Sequence, residues 1–451
     1  MWLKLKRDAE ELLKELCPDL DIAKSSKAWI ERAEQVVAKT TQSRDIYPVV
    51  DHTQGEGPWI YDLKGNQYLD MTAGVAVRAL GFRNTGIQDF EQRINGYLRE
   101  VPGHDFDVIP QTLLAERLTG ITPGDHEKEV FFTTSGGRAV ETAVKSIMDT
   151  THRFRFIAFR PAFHGRTGYS LALTASKHAH KDYYPDGLDV IRGPYPYCFR
   201  CPFGQEEKTC NLECVQYLRD SIEYGGKDIA AIFIEPICGE GGIIPAPIKW
   251  FKAIRQLADE LEAKLVSDEV QAGLGRTGKW WGVEYGDIVP EYICTAKALG
   301  GGFPFGATIG SKPLFTDFSR HSETFGAEPY VSLLSLAVLR TIERDGLLEN
   351  ATKRGRQLLK GLNEIKEKSN IVGDVRGRGL MCATEIVTDK ESNAIDPKKR
   401  DAVLKNAVNK QRLWMLGAGR SSIRFLPPLT ITAEQIDIAL ERYSKAVKSV
   451  K

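Results

Sequence analysis

The sequence contains few of the features that mark membrane, secreted or nucleic-acid-binding proteins. No apolar run reaches the roughly 18 residues that a membrane span needs, and the first helical stretch carries acidic side chains instead of the apolar centre of a signal peptide. Eight cysteines in 451 residues are too few for a disulfide scaffold. Basic residues number 61 and acidic residues 60, so no general attraction to polyanions is expected. These features predict a cytoplasmic protein that binds neither membranes nor nucleic acids.

The pattern of apolar residues predicts an α/β protein with more than one unit. Residues 1–44 show helical periodicity, and residues 58–72 have the pattern of a β-hairpin. From about residue 110, helices alternate with short apolar strands, which is typical of a mostly parallel sheet. The predicted strands are Val130–Thr133, Phe154–Phe159, Ile229–Ile234, Ala263–Ser267 and Tyr292–Thr295.

Beyond residue 330 the pattern changes again, to a long helix followed by mixed helix and strand signals such as Ser422–Phe425. A chain of 451 residues is also long for a single hydrophobic core. We therefore predict an N-terminal segment over residues 1–70, a large α/β domain over residues 71–329 and a smaller α+β domain over residues 330–451.

Lys297 is a candidate catalytic lysine because of where it stands. A strand-like run leads into it, and three glycines follow in the segment TAKALGGG. An unperturbed lysine amine has a pKa of about 10.4 and is a poor nucleophile, but a buried lysine can be activated to form Schiff bases. Taken alone, this setting is weak evidence, and a lysine that flanks an ordinary loop is the better interpretation.

Three upstream segments favour the catalytic interpretation. Asp268 ends a predicted strand, where carboxylates of a parallel sheet meet a bound ligand, and an anion there can pair with the pyridine nitrogen of pyridoxal 5'-phosphate (PLP). Ser135, Gly136 and Gly137 precede a predicted helix, whose N-terminus can hold a phosphate. Phe163, in the turn FHGRT, can stack on a heteroaromatic ring.

These segments, in this order, resemble the class III (subgroup II) PLP-dependent aminotransferases, the family of ornithine and 4-aminobutyrate aminotransferases. The resemblance runs from about residue 45 to the C-terminus. It is carried by the motifs SGGRAVETAVK, FHGRT, EPICGEGG, SDEVQAGLGRTGKWW, TAKALGGGFP, TFGAEP, VRGRGLM and IRFLPPL. It implies the fold type I of PLP-dependent transferases, an α/β fold with a mostly parallel seven-stranded sheet and a smaller α+β domain.

The resemblance implies roles for the residues around the cofactor. Lys297 matches the lysine that forms the Schiff base with PLP and moves the proton, and Asp268 matches the partner of the pyridine nitrogen. Phe163 and Val270 match the residues on the two faces of the ring. The other implied cofactor contacts are Gln271 at the ring hydroxyl, Glu235 near the ring, His164 as a structural residue of the site, and Ser135, Gly136 and Gly137 at the phosphate.

The same resemblance implies substrate contacts and a homodimer. Arg424 matches the arginine that pairs with the α-carboxylate, Glu240 the carboxylate that holds or releases that arginine, and Arg166 the arginine for a distal carboxylate. Val75 matches a side chain at the substrate entrance. Thr324 matches a threonine that reaches the phosphate of the neighbouring subunit, which implies active sites shared across a homodimer or a higher homo-oligomer.

Cys198, Cys201, Cys210 and Cys214 form a separate cluster in the sequence. Four thiols at this spacing could close a structural zinc site. Two disulfides or four buried free thiols are the alternatives. None of the three possibilities places a metal in the catalytic machinery.

The leading hypothesis is transamination by a ping-pong mechanism, with an ω-amino acid as donor and 2-oxoglutarate as acceptor. The main alternative is an amino-acid racemase on the same fold, in which the lysine returns the proton to Cα. A second alternative is a non-catalytic protein whose cysteine cluster binds a metal. Motifs around the cofactor do not separate the first two.

Overall fold

The computed structural model describes residues 2–18, 25–41, 43–99, 101–226 and 228–450. Parts of the predicted helical region 1–44 lie outside these ranges; inside them it forms two helices. The helices are α1 (Trp2–Leu16), α2 (Ser26–Val36), α3 (Ala73–Ala76), α4 (Thr85–Ile94), α5 (Ile109–Ile121), α6 (Gly136–Thr151), α7 (Gly168–Leu173), α8 (Glu213–Gly225), α9 (Ile248–Glu260), α10 (Pro329–Arg344), α11 (Leu347–Glu367), α12 (Pro397–Gln411) and α13 (Ala433–Lys448). Short 3₁₀ helices cover His178–His180, Cys198–Arg200, Gly282–Gly286 and Lys297–Gly300.

The strands follow the sequence pattern closely where the pattern is apolar. They are β1 (Val50–Glu56), β2 (Trp59–Asp62), β3 (Gln67–Asp70), β4 (Lys128–Thr133), β5 (Arg155–Arg160), β6 (Asp189–Pro194), β7 (Ile229–Ile234), β8 (Ile237–Cys238), β9 (Ile244–Pro245), β10 (Lys264–Asp268), β11 (Tyr292–Thr295), β12 (Gly306–Ser311), β13 (Val372–Arg378), β14 (Met381–Ile386), β15 (Leu413–Trp414), β16 (Leu416–Ala418) and β17 (Ser422–Phe425). All five strands predicted for the α/β region are confirmed, with shifts of up to two residues at their ends.

A seven-stranded sheet in the order β4-β12-β11-β10-β7-β5-β6 forms the centre of the α/β region. Only β12 runs antiparallel to its neighbours, so the predicted mostly parallel seven-stranded sheet is confirmed. Its inner strand β7 is fully buried and entirely apolar, as expected for a strand that helices cover on both faces.

The N-terminal hairpin joins the C-terminal part of the chain. Strands β2 and β3 form the predicted antiparallel hairpin, and β3 pairs in parallel with β15, with Leu69 opposite Leu413. A further antiparallel sheet in the order β13-β14-β17-β16 belongs to the C-terminal region. This arrangement agrees with a smaller α+β unit that includes the N-terminal segment, and the boundaries at residues 70 and 329 stay a prediction.

No helix within the described ranges is both long and apolar enough to cross a membrane.

Candidate active site

Four neighbouring parallel strands bring the predicted catalytic residues to one edge of the seven-stranded sheet. Asp268 is the last residue of β10, and Lys297 follows the end of β11 by two residues. Glu235 directly follows β7, and His164 follows β5 in the FHGRT turn. Because the carboxyl ends of adjacent parallel strands point to the same edge, side chains from four separate segments meet there.

Asp268 forms a buried hydrogen-bonded pair with His164. The Nδ1 of His164 lies 2.7 Å from Oδ2 of Asp268, and the two side chains are 0% and 5% exposed. The other oxygen, Oδ1, accepts a hydrogen bond from the amide of Val270 at 3.1 Å. Burial alone would lower the pKa of His164, but its hydrogen bond to Asp268 and the nearby carboxylates raise that pKa above its usual value. His164 therefore orients the Asp268 carboxylate and supports its negative charge.

Lys297 has the environment of a reactive amine. Burial lowers the pKa of its ammonium below the usual value, and the carboxylates of Asp268 and Glu235 offset part of that effect. Its backbone φ of +42° lies in the left-handed region, which a non-glycine residue rarely adopts. Such strain persists where the surrounding structure holds the residue in place, and it is common at functional sites.

The turn that carries His164 is anchored by hydrogen bonds from its backbone. The amide of Phe163 donates to Oε1 of Glu235 at 2.8 Å, and the amides of His164 and Gly165 both donate to Oγ1 of Thr174. Burial raises the pKa of Glu235 above its usual value. These contacts fix the position of the Phe163 ring relative to β7 and β10.

The first turn of α6, at Ser135, Gly136 and Gly137, forms a cradle for an anion, because the first amides of a helix have no partner within the helix. Ser135 caps the helix, and its Oγ accepts a hydrogen bond from the amide of Arg138 at 3.3 Å. A Cβ at Gly136 would lie 2.6 Å from Cγ1 of Val270, so this position has no room for a side chain. A helix N-terminus of this kind attracts phosphate through its amides and dipole.

A cavity of about 1350 Å³ connects these groups. The predicted residues that line it are Val75, Ser135, Gly136, Gly137, Phe163, His164, Arg166, Glu235, Glu240, Asp268, Val270, Gln271, Lys297 and Arg424. The lining also includes the apolar or aromatic side chains of Trp29, Ile30, Val37, Tyr47, Trp414 and Leu416 and the charged side chains of Arg44, Arg400 and Asp401. The structure therefore brings together all the predicted site residues except Thr324.

Arg424 and Glu240 form an ion pair at one side of this cavity. The Nη1 of Arg424 lies 3.1 Å from Oε2 of Glu240, and the arginine side chain is only 7% exposed. The buried Nε of Arg424 has no hydrogen-bond partner among the described residues. Arg166, by contrast, is exposed, and its guanidinium lies 5.7 Å from the centre of the Phe163 ring. Arg424 is thus placed to grip a carboxylate with a donor that is still free.

Comparison with known proteins identifies the family to which this chain belongs. The family model of class III aminotransferases matches residues 40–447. The chain belongs to the class III aminotransferase family. It is 32% identical over 429 residues to a leucine/methionine racemase of Thermococcus litoralis, covering 94% of this chain and 95% of that protein.

Two further similarities come from an aminotransferase sequence and an aminotransferase structure. A probable 4-aminobutyrate aminotransferase of Bacillus subtilis is 31% identical over 413 residues, covering 90% of this chain and 93% of that protein. A solved aminotransferase structure from Bacillus anthracis superposes with a TM-score of 0.87 at 28% identity, covering 96% of this chain and all of the other.

The cofactor of this class III family member is PLP, and the residues of the cavity fit it. The buried Oε1 of Gln271 has no hydrogen-bond partner among the described residues, so it can accept from the ring hydroxyl. Asp268 offers the anion that a protonated pyridine nitrogen needs. Lys297 would hold the aldehyde carbon covalently, and the α6 cradle would hold the phosphate.

Thr324 lies outside the cavity, on an exposed segment. Its neighbour Glu323 accepts hydrogen bonds from the amide and hydroxyl of Thr134, directly before the α6 cradle. Within one chain, Thr324 therefore makes no contribution to the site. Its predicted role at the phosphate of a neighbouring subunit stays a prediction.

The four clustered cysteines do not build a metal centre in the described structure. Cys198, Cys201, Cys210 and Cys214 are free thiols of intermediate exposure. Across the described ranges, no three His, Cys, Asp or Glu side chains are grouped so that they could hold a metal ion. Cys210 instead accepts a hydrogen bond from the ammonium of Lys249 at 3.1 Å. Of the three alternatives, free thiols agree with this structure.

Sequence reasoning missed two groups that the structure adds to the site. Thr174 anchors the FHGRT turn, and Lys177 pairs with Glu240 across 63 residues of sequence. Neither stands in a motif that points to the cofactor. Only the fold of the segment after α7 brings Lys177 to the cavity and Thr174 to the turn behind it.

Proposed function

We propose that this class III family member transfers the amino group of an ω-amino acid, such as 4-aminobutyrate or ornithine, to 2-oxoglutarate by a ping-pong mechanism. The observation that carries the proposal is the ion pair between Glu240 and Arg424 beside Lys297. When Glu240 releases Arg424, the arginine can bind a substrate carboxylate next to the reacting carbon. When Glu240 holds Arg424, the site can accept a substrate that has no carboxylate at that position. The similarity to a probable 4-aminobutyrate aminotransferase supports the same reaction.

PLP, when bound, supplies an electron sink for the carbanion that forms when the donor loses a proton. The amine of Lys297, whose pKa is lowered by burial, would take that proton from the donor carbon as the general base. Asp268 would hold the protonated ring nitrogen, and Lys297 would carry the proton from the donor carbon to the cofactor. One water would supply the oxygen of the product oxo acid, and the amino group would pass to the cofactor.

The reaction is tested by mixing holoenzyme with 4-aminobutyrate or ornithine and following the absorbance of the lysine-bound cofactor. We expect this absorbance to disappear with the donor and to return on addition of 2-oxoglutarate. An absorbance that no ω-amine changes would contradict the proposal.

A racemase is the second candidate, and two observations favour it. The relative from Thermococcus litoralis is a leucine/methionine racemase, and the cavity is lined in part by the apolar side chains of Trp29, Ile30 and Trp414. In this case Lys297 returns the proton to Cα of the amino acid. The test is chiral analysis of L-leucine or L-methionine incubated with holoenzyme in the absence of any oxo acid. Accumulation of the D-isomer would establish racemisation, and its absence would leave transamination.

We further propose a homodimer. The single chain exposes several large apolar side chains. Two of them flank Thr324 in sequence, and three come before β4, the first strand of the seven-stranded sheet in the chain. They are Leu98 (72%), Phe106 (63%), Ile109 (77%), Phe318 (96%) and Phe325 (72%). Exposure of this kind is typical of an interaction surface. Mass measurement in solution should give twice the 50.3 kDa of one chain, and a single-chain mass would contradict the proposal.

A further inference from the structure

Lys177 and Arg424 bind the same carboxylate from two sides. The ammonium of Lys177 contacts Oε1 of Glu240, and the guanidinium of Arg424 contacts Oε2. Lys177 directly precedes the 3₁₀ helix His178–His180, and its side chain is 41% exposed, against 16% for Glu240. The two oxygens of Glu240 therefore bind two different cations, the partly exposed Lys177 and the buried Arg424.

Lys177 becomes important when the substrate itself carries a carboxylate that binds Arg424. When a substrate carboxylate takes the Nη1 donor of Arg424, Glu240 loses that partner, and a partly buried carboxylate without a partner is costly. With Lys177 present, the two carboxylates are matched by two cations. Burial alone would raise the pKa of Glu240, but Arg424 and Lys177 lower it, so the glutamate is ionised in the pair described here.

We propose that Lys177 is a positioning residue for substrate specificity, which retains Glu240 while the carboxylate of a substrate occupies Arg424. This inference rests on the proposed function, because it concerns how one site accepts amino donors with and without an α-carboxylate. Lys177 acts through Glu240 and does not need to touch the substrate.

The alternative role of Lys177 is direct attraction of the substrate carboxylate. Lys177 lines the same cavity as Arg166, so a general increase in positive charge is physically possible. The two roles differ in their dependence on Glu240. A direct attraction persists when Glu240 is neutral, whereas retention of Glu240 has no effect once its charge is removed.

A double-mutant cycle with three ligands of matched chain length separates these roles. The variants are Lys177→Met, Glu240→Gln and their combination, with Lys252→Met, an exposed lysine of α9 outside the cavity, as the control. The ligands are L-norleucine, n-pentylamine, which lacks its α-carboxylate, and hexanoate, which lacks its amino group. Half-reaction kinetics give kcat and KM for the first two, and calorimetry gives Kd for hexanoate on holoenzyme.

We expect Lys177→Met to raise the KM for norleucine and the Kd for hexanoate about tenfold. An effect of this size lies between the small contribution of an exposed ion pair and the large contribution of a buried one. In Lys177→Met, the kcat for norleucine and the kcat and KM for pentylamine should stay within about twofold of wild type. In Lys252→Met, all measured constants should stay within the same range. In the Glu240→Gln background, Lys177→Met should have no further effect on hexanoate binding.

Three results would overturn the inference. The first is an equal rise in the KM for norleucine and for pentylamine in Lys177→Met. The second is a Kd for hexanoate that Lys177→Met raises as much in the Glu240→Gln background as in wild type. The third is a Kd for hexanoate that Lys177→Met leaves unchanged. Failure of the proposed function has a different signature. In that case 4-aminobutyrate and ornithine leave the absorbance of wild-type holoenzyme unchanged, while the hexanoate measurements still decide the role of Lys177.

Discussion

Replacement of Asp268 by asparagine is the sharpest test of the candidate active site. The two residues have the same shape, and the amide oxygen of Asn can still accept the hydrogen bond that Val270 donates to Oδ1 at 3.1 Å. What the change removes is the negative charge at Oδ2, which lies 2.7 Å from His164 and faces the cavity. Asp268→Asn therefore separates the charge from the geometry.

We expect kcat of the half-reaction to fall about 10²–10³-fold, since removal of one preorganised electrostatic contact at a reacting centre costs ~3–4 kcal/mol. The protein should also become less stable by about 1.5–3 kcal/mol, the contribution of a buried hydrogen bond to a charged group.

The His164 contribution to that stability should depend on pH. Because its pKa is raised in the folded protein, this contribution is complete below the unfolded value of about 6.5. It is lost as the pH rises through the folded value. The difference in unfolding free energy between wild type and variant should therefore shrink at high pH.

Stopped-flow absorbance of the half-reaction, denaturant unfolding and NMR titration of His164 measure the three effects. Glu269→Gln is a matched control, because Glu269 is a buried neighbouring carboxylate that binds the amides of Gly282 and Val283 and does not line the cavity. It should lose stability by about 1–3 kcal/mol and keep kcat within about threefold. A kcat for Asp268→Asn within tenfold of wild type, or no fall in the pKa of His164, would refute our assignment.

Three further predictions follow from the same site. Lys297→Ala should leave no cofactor covalently attached after borohydride reduction, as read by mass spectrometry; attachment to another lysine would contradict the assignment. Gly136→Ala should weaken PLP binding about tenfold in equilibrium dialysis, because its Cβ would lie 2.6 Å from Val270. Gly120→Ala is the control, because Gly120 lies on α5 outside the cavity with nothing within 4 Å of an added Cβ; it should leave PLP binding unchanged. Glu235→Gln should shift the pH dependence of PLP attachment to lower pH, because the Glu235 carboxylate raises the pKa of Lys297; an upward shift would contradict this.

Strand prediction succeeded where the strands are apolar and failed where glycine occupies them. Strands β7 and β11 have the predicted bounds, since a buried strand of a parallel sheet is a continuous apolar run. Strand β12, GATIGS, was missed because glycine is depleted in strands. There the glycine is required by packing: a Cβ at Gly310 would lie 2.6 Å from Leu314 and Tyr292.

The cofactor site is readable from sequence because its parts are local. Asp268 and Lys297 stand at strand ends, and Ser135 and Gly136 stand at a helix start, so each is recognisable from its neighbours alone. The parallel sheet then brings these points together by its regular geometry. For this reason the sequence alone determined the fold class, the family and the candidate catalytic lysine.

The substrate side of the cavity depends on contacts that no local pattern encodes. Glu240 is 184 residues from Arg424 and 63 from Lys177, and the three charges meet only because β17 and the loop after α7 pack against the same turn. The same is true of His164, whose hydrogen bond to Asp268 spans 104 residues. Electrostatic pairing depends on distance in space and not on distance along the chain, so only the tertiary structure could decide which charges share the site.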